Sequence, residues 1–240
     1  MSSETYVALS GQITMDERLS TVAHNVANMR TVGFRAETVD FNTVYSSTRS
    51  QNVAFATVGA SHIDTRPGPI EPTGNPLDVA IVGEGWFGIE TPAGIAYTRD
   101  GRFTVNEAGD LLTLTGFGVV DEGGAPIAID LRRGEIVIGG DGRITQEGVL
   151  AGNLGLFSLP PGANLSRYGD SAVTADVLAE PILDRAANGV RQGFREGSNV
   201  NAVRAITELI AVQRAFEYAQ TVVSDRQQTM EQAVRTLGAE

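Results

Sequence analysis

Apolar residues near the C-terminal end of the chain recur every seven positions. From Asn199 to Glu240 the chain has a single glycine and no proline. Seven-residue spacing keeps one side of a helix facing one partner, so the pattern predicts a long helix lying along other helices. At about 1.5 Å per residue, this helix would be roughly 60 Å long. The recurring residues are Leu209, Phe216, Val223, Met230 and Leu237.

Glutamines accompany this apolar row on the same predicted helix. Gln213, Gln220 and Gln227 each lie three residues before one of its members. Polar residues in a helical seam lower stability but specify register and partner number, so we favour the interpretation that these glutamines contact neighbouring chains. In the alternative interpretation, the glutamines only border the true apolar stripe. That stripe would consist of Val203, Ile206 and Ile210.

A second helix is predicted at the N-terminal end, from about Glu4 to Asn28. Apolar residues again recur every seven positions, and a glutamine again shares the seam. The run Thr31–Phe34 is expected to end the helix, because its glycine readily adopts the left-handed conformation found just past helices. One row consists of Ala8, Met15, Val22 and Met29, and the other of Gln12, Leu19 and Val26.

Between the two helices the chain changes character twice. Residues 35–74 are polar and weakly patterned, and they include the turn-prone run 66–69. A stretch of this length without periodicity predicts an extended connector. From residue 75 to 190, short β-branched and aromatic runs alternate with turn pairs such as Asp100-Gly101 and Asp141-Gly142. Strand follows strand with no helix between, which predicts a small antiparallel β domain.

The sequence therefore predicts an α+β protein. Its long N- and C-terminal helices are expected to pair as a coiled-coil-like layer, with a small antiparallel all-β domain and an extended connector inserted between them. The predicted parts are residues 1–34 for the N-terminal helix, 35–74 for the connector, 75–190 for the β domain and 191–240 for the C-terminal helix.

Composition narrows the classes of partner. The net charge is −11, which argues against nucleic acid or an anionic membrane as the main partner, because both attract a basic surface. The chain has no cysteine, which excludes disulfides and thiolate metal sites. No apolar run approaches the ~18 residues of a membrane span, and the start of the chain lacks the pattern of a cleaved signal peptide. We expect a protein that is cytoplasmic or exported without such a signal.

Features that could carry chemistry are better explained as structure. Gly83–Gly88 matches the dinucleotide-binding pattern G-x-G-x-x-G, but the residues after it do not open a helix that could hold a pyrophosphate. The two histidines, His24 and His62, lack partners at metal-ligand spacing. Carboxylates such as Asp100 fall at turns, where aspartate is favoured for local hydrogen bonding. We therefore expect no cofactor, no metal, no small-molecule substrate and no catalytic residues.

The segment Ala23–Arg35 reads A-H-N-V-A-N-M-R-T-V-G-F-R. It resembles the N-terminal signature of bacterial flagellar rod and hook proteins, A-N-N-[LIV]-A-N-x-x-T-x-G-[FY]-[KR], with His24 in place of the first asparagine. The chain also resembles the C-terminal signature of the same family. The residues that resemble it are the run Ser198–Asn201, then Leu209-Ile210, then residues 213–217. Arg204-Ala205 and Tyr218-Ala219 depart from the residues usual there.

The middle of the chain agrees with this resemblance. Asn75–Phe87 and Tyr97–Phe103 look like the β domain that rod and hook subunits share. The chain is identified as a member of the axial rod family, and its length and its opening residues Tyr6–Gly11 look more like the proximal-rod members than the distal ones. A distal-rod or hook-type axial subunit is the alternative, followed by a coiled-coil adaptor or chaperone and by an enzyme in the β domain.

The resemblance implies a structural subunit of the flagellar basal-body rod. In this family the terminal helices form the innermost layer around an export channel, the β domain lies outside it, and the connector bridges subunits. The implied partners are other rod subunits, further copies of this chain and the flagellar export apparatus. The implied location is the periplasmic rod, reached without a cleaved signal peptide.

The interface between subunits is expected to involve residues from both helices and both signatures. From the N-terminal part these are Leu19, Val22, Asn25, Val26, Asn28, Thr31, Gly33 and Phe34. From the C-terminal part they are Ser198, Asn199, Val200, Asn201, Leu209, Ile210, Gln213, Arg214, Phe216, Gln220, Val223, Gln227 and Met230.

Overall fold

The computed structural model of the chain describes residues 3–48, 51–160, 162–169, 171–185 and 187–237. Two helices, α1 (Ser3–Ala27) and α2 (Ala202–Leu237), lie at the two ends of the sequence. The strands after α1 are β1 (Glu37–Thr48), β2 (Gln51–Ile63), β3 (Ile70–Pro72), β4 (Val79–Val82), β5 (Trp86–Thr91), β6 (Gly94–Thr98), β7 (Phe103–Val105), β8 (Leu111–Thr113) and β9 (Gly118–Val119). They are followed by β10 (Ile136–Ile138), β11 (Arg143–Gln146), β12 (Val149–Asn153), β13 (Leu156–Ser158), β14 (Leu165–Tyr168), β15 (Ala172–Ala175), β16 (Glu180–Pro181), β17 (Gly189–Gln192) and β18 (Phe194–Glu196).

The chain divides into two compact units, and neither is continuous in sequence. The terminal unit consists of Met1–Ala27, Glu37–His62 and Asn201–Glu240, and therefore holds both helices and the β1–β2 ribbon. The β unit consists of Asn28–Ala36 and Ile63–Val200. Residues 28–36, which include most of the N-terminal signature, thus belong to the β unit, whereas the sequence groups residues 28–34 with the first helix and residues 35 and 36 with the connector.

The prediction of an extended connector is wrong for most of its length. Residues 37–48 and 51–63 form β1 and β2, which pair as a two-stranded sheet. The segment is polar because its outward side chains are solvated, among them Thr38 and Asp40, while the intervening Val39 is half-buried. Val, Thr, Phe and Tyr favour pleated strands. These residues alternate with polar ones, which is the pattern of a strand, but the average polarity of the segment does not reveal it.

The prediction that the two helices pair as a coiled-coil-like layer is also wrong. α1 contacts β1 as well as α2, so it is not part of a layer made only of helices. The helices also differ in length, 25 residues in α1 and 36 in α2. Gln213 and Gln220 are exposed, and the half-buried Phe216 is accompanied by the buried Val212, one position before Gln213. The seam therefore excludes these glutamines, because the second row lies one residue earlier than predicted.

The β unit is larger and more divided than one small inserted domain. Its sixteen described strands form a nine-stranded sheet, a three-stranded sheet and two two-stranded sheets, with antiparallel pairing. Two aromatic rings lie in its main core, where Phe87 and Phe103 contact edge to face with centroids 5.2 Å apart. The protein is therefore a mostly β body with one helix at each end of the chain.

Candidate functional site

One side of α2 is turned inward within the terminal unit. The residues on this side are buried or half-buried and follow each other at spacings of four and three: Ala205, Leu209, Val212, Phe216, Ala219 and Val223. On α1, Thr14 and Val22 are buried. Arg18 and Glu208 join the two helices by an ion pair of 3.1 Å, but each side chain is about 40% exposed. Such an exposed pair contributes at most about 1 kcal/mol, so apolar packing dominates the contact.

Asn25 fastens the end of α1 to the start of β1. Its side-chain oxygen accepts a hydrogen bond from the Glu37 backbone N–H at 2.9 Å, and its amide donates to the Glu37 carbonyl at 2.7 Å. Nearby, the Arg18 guanidinium lies 5.8 Å from the centroid of the Phe41 ring. Asn25 was predicted as an interface residue, and its amide is used within the chain.

Asn201 begins α2. Its side-chain oxygen accepts a hydrogen bond from the Arg204 backbone N–H at 3.0 Å, and its carbonyl accepts one from Ala205 at 2.9 Å. An asparagine that caps the first turn in this way stabilises a helix by about 1 kcal/mol. This C-terminal signature residue therefore has a local structural role.

The N-terminal signature enters the β unit through Gly33 and Phe34. Gly33 has φ of 71°, and a Cβ placed on it would collide with the backbone nitrogen of Asp100. Its N–H donates to the Glu196 carbonyl at 2.8 Å. Phe34 is fully buried beneath the Arg167 guanidinium, 4.5 Å from the ring centroid. Glycine is required at position 33 by both the conformation and the close approach of the backbone.

The C-terminal signature meets the same segment through Asn199. Its side-chain oxygen accepts from the Ala36 N–H at 2.7 Å, and its amide donates to the carbonyls of Asp64 and Arg66 at 3.0 Å each. Its own N–H donates to the carbonyl of Phe34 at 3.2 Å. One asparagine therefore joins three segments that are far apart in sequence.

A buried ion triad lies beside this junction. Glu196 is fully buried and pairs with Arg35 at 2.6 Å and with Arg99 at 3.0 Å. The N–H of Gly68 donates to the same carboxylate at 2.7 Å. Both guanidinium carbons lie 5.6 Å from the centroid of the Trp86 ring. The two cations thus share one carboxylate and one aromatic ring.

The triad leaves one positive charge in excess inside the β unit. Burial lowers the pKa of the Arg99 guanidinium below its ordinary value, and the charge of Glu196 opposes this shift. Within the described residues, Nε and Nη1 of Arg35 and Nε of Arg99 have no hydrogen-bond partner. Arg99 is also stabilised by a hydrogen bond from its Nη2 to the Gly83 carbonyl at 3.2 Å and by the charge of Glu84. Attraction to the electron-rich face of Trp86 adds to this, and such contacts are strongest where water is excluded.

No motif or spacing in the sequence predicts this triad. Arg35 closes the N-terminal signature, Arg99 lies in the block 97–103, and Glu196 comes two residues before the C-terminal signature. The feature of the sequence that could have indicated the triad is the position of these three charged residues, inside or beside the three blocks that carry the family resemblance. Opposite charges in separate blocks would have suggested a contact.

The predicted interface residues thus fall into two groups. Most of them are buried or half-buried within one of the two units, as described above for Val22, Asn25, Phe34 and Asn199. The exposed ones include Asn201, Ile210, Gln213, Arg214 and Gln220. Gln213 donates to the Glu217 carboxylate on the next turn at 3.2 Å. Gln227 and Met230 are in α2, but their side chains lie outside the described residues.

The β unit also has a cleft of about 140 Å³. Its lining includes Thr98, Phe117 and Tyr168, together with an ion pair of 2.6 Å between Arg102 and Asp100. Hydrogen bonding to Asp100 raises the pKa of Arg102. Across the described part of the chain, no three acidic, histidine or cysteine residues are arranged to hold a metal ion. Neither described helix is long and apolar enough to cross a bilayer.

Comparison with known families gives three matches in chain order. Residues 6–35 match the family described as flagella basal body rod protein. Residues 80–146 match the flagellar hook protein FlgE/F/G D1 domain, and residues 191–236 match the flagellar basal body rod FlgEFG protein C-terminal family.

Individual relatives are similar over nearly their whole length. The chain is 45% identical to the flagellar basal-body rod protein FlgF of Mesorhizobium japonicum over 239 residues, covering 100% of this chain and 99% of the relative. It is 44% identical to FlgF of Rhizobium meliloti, covering 99% of each. A flagellar basal-body rod protein FlgG, from Bacillus subtilis, is 30% identical, covering 95% of this chain and 97% of the relative.

Proposed function

This chain belongs to the family of flagellar basal-body rod proteins, and on that premise we propose that its terminal unit makes the contacts by which it joins the rod. The chain is a structural rod subunit, most like FlgF, and not an enzyme. A rod is built by repeated contact between subunits, so the mechanism to be explained is assembly with other rod components.

The observation that supports this proposal is the exposed set of predicted interface residues on α2. Ile210, Gln213, Arg214 and Gln220 all face solvent on one helix, with apolar, amide and cationic side chains side by side. Side chains of these types suit an interface that combines burial with specific hydrogen bonds. The signature residues Asn199 and Phe34, by contrast, support the interior of the β unit.

We test the proposal with Phe216→Asp in a strain that lacks the native gene. Phe216 is half-buried in the inward row of α2, so a carboxylate there opposes helix packing in the terminal unit. We expect loss of swimming and absence of the variant from isolated basal bodies, while the β unit keeps its fold. The matched control is Leu178→Asp, which is 84% exposed in the β unit and should assemble normally. Normal motility of Phe216→Asp would refute the proposed role of the helices.

Export and location follow from the same proposal. A rod subunit in the periplasm would leave the cytoplasm through the flagellar export apparatus and retain its N-terminal residues. The checks are mass spectrometry of the N-terminus of protein taken from basal bodies and its retention in cells whose flagellar export gate is deleted. Cleavage of the N-terminal segment, or release from export-deficient cells, would contradict this route.

A further inference from the structure

The segment 28–36 connects two elements of the terminal unit but belongs to the β unit. α1 ends at Ala27 and β1 begins at Glu37, so the segment is the whole of the chain between them. It consists of turns and irregular chain, and the β unit holds it at separate points, not as a strand of a sheet. We call residues 28–36 the latch, and the remainder of the β unit, residues 63–200, the β body.

The β body holds the latch through strands that have partners of their own. The Gly33 N–H donates to the Glu196 carbonyl at 2.8 Å, and Nη2 of Arg167 donates to the Arg35 carbonyl at 2.8 Å. Glu196 belongs to β18, which pairs with β3, and Arg167 belongs to β14, which pairs with β15. The latch completes neither pairing, so undocking it breaks no ladder of sheet hydrogen bonds.

The apolar core of the β body is also built without the latch. Its described clusters consist of residues within the range 63–190. Val32 and Phe34 of the latch are buried in the closed position, where Phe34 packs beneath the Arg167 guanidinium. Undocking the latch would therefore expose apolar surface at its own binding site and leave the clusters between the sheets in place.

The charges of the triad allow the latch to leave. Arg35 belongs to the latch, whereas Arg99 and Glu196 belong to the β body. Without Arg35, Glu196 still pairs with Arg99 at 3.0 Å and still accepts from the Gly68 N–H at 2.7 Å. Opening therefore leaves two buried charges of opposite sign, not the single buried charge that makes a broken ion pair costly. Docking, by contrast, brings together two cations that repel each other. Three other charged groups near the latch or the triad are also in the β body: Asp64, Glu84 and Arg167.

We propose that the latch opens and closes while the β body stays folded, and that its closing holds the chain from which α1 and β1 start. The β body is then a preformed site for a peptide segment with glycine, phenylalanine and arginine at positions 33–35. This inference goes beyond the proposed function, because it concerns one subunit before it contacts another. An open latch frees the chain on both sides of it, and a closed latch ends that freedom without a change in the β body.

Native-state hydrogen exchange of the full-length unsubstituted chain, followed by NMR in increasing urea, tests the inference. The latch amides are those of Gly33 and Asn199, whose hydrogen bonds join the latch to the β body, and the core amides are those of Leu111 and Val120. We expect the latch amides to exchange together, at least about 100-fold faster than the core amides and with a weaker dependence on urea. Unprotected latch amides beside a protected core would also support the inference, because the latch is then open on a folded body. A single rate and a single urea dependence for all four amides would overturn it.

Two matched substitutions test the charge argument. Arg35→Ala and Arg99→Ala each remove one guanidinium from Glu196 and Trp86. Arg35→Ala should speed exchange of the latch amides at least about tenfold and leave the core amides within about twofold, because the remaining pair is balanced. Arg99→Ala should speed both sets, since Arg99 also donates to the Gly83 carbonyl within the β body at 3.2 Å. Equal acceleration of both sets by Arg35→Ala, or none at the latch amides, would overturn the inference. The proposed function would stand in either case, because it is tested in basal bodies and the latch is tested in the free chain.

Discussion

Replacing Glu196 by glutamine tests the account of the buried triad. The substitution keeps the shape of the side chain but removes its negative charge, so Arg35 and Arg99 share the face of Trp86 with no anion between them. The carbonyl oxygen of the new side chain could still accept from Arg35 or Gly68, but its NH₂ group cannot accept from the second guanidinium. Breaking a buried ion pair by removing one partner costs about 3–5 kcal/mol, because the remaining charge stays buried.

The consequence should be large for a unit of this size. For a domain of 150–250 residues, 1 kcal/mol corresponds to roughly 2–4 °C, so the melting temperature should fall by about 6–20 °C. The assay is urea and thermal unfolding followed by tryptophan fluorescence. Trp86 is the single tryptophan of the chain and contacts both arginines, so the signal reports directly on the triad.

A surface ion pair provides the matched control. Glu71 pairs with Arg195 at 3.0 Å, with side chains that are 51% and 42% exposed. Glu71→Gln should change stability by less than about 1 kcal/mol, because water screens the pair. If Glu196→Gln cost no more than Glu71→Gln, the triad would not hold the two signatures together and the reasoning would be refuted.

Three further predictions concern the junction between the signatures. Asn199→Ala removes three side-chain hydrogen bonds and should lower the free energy of unfolding by about 2–4 kcal/mol in urea titrations; a change below about 0.5 kcal/mol, as expected for a surface substitution, would contradict it. Gly33→Ala should destabilise the β unit well beyond Gly74→Ala, since both have positive φ but only Gly33 has backbone within contact distance; equal melting temperatures would disprove this. A hydrogen bond from Arg66 lowers the pKa of Asp64, so its contribution exists above the unfolded pKa and is lost as the pH falls through the folded value. Asp64→Asn should therefore flatten the acid side of the stability curve, and an unchanged curve would count against the pair.

The sequence predicted the elements whose pattern is local. The heptad row on α2 contains Leu209, Phe216 and Val223, all of which turn inward in the structure, because periodicity alone determines which side of a helix is apolar. Gln213 and Gln220 were predicted to lie in the seam of α2 but are exposed, and the reason is related. A row three residues before Phe216 and one four residues before it are equally compatible with a helix, and only burial shows that Val212 occupies the seam.

Long-range contacts were beyond the reach of the pattern. Glu196 and Arg35 are 161 residues apart, and their pairing depends on how the sheets of the β unit fold. The β1–β2 ribbon was missed because the consecutive side chains from Asp40 to Tyr45 are all exposed, so this part of the ribbon lacks the buried apolar face that marks a strand in sequence. Residues 28–34 were grouped with the first helix because they follow it directly, whereas Gly33 and Phe34 contact residues far along the chain, Glu196 and Arg167.

The most direct test of the central claim is site-specific photo-cross-linking in intact basal bodies. A photoreactive residue is placed at Ile210 on α2, and in a second strain at Leu178 in the β unit, at positions that are 47% and 84% exposed. If the terminal unit joins the rod, Ile210 should cross-link to rod subunits in high yield and Leu178 should not. Cross-links to rod subunits from Leu178 but not from Ile210 would contradict the assignment of assembly to the terminal unit.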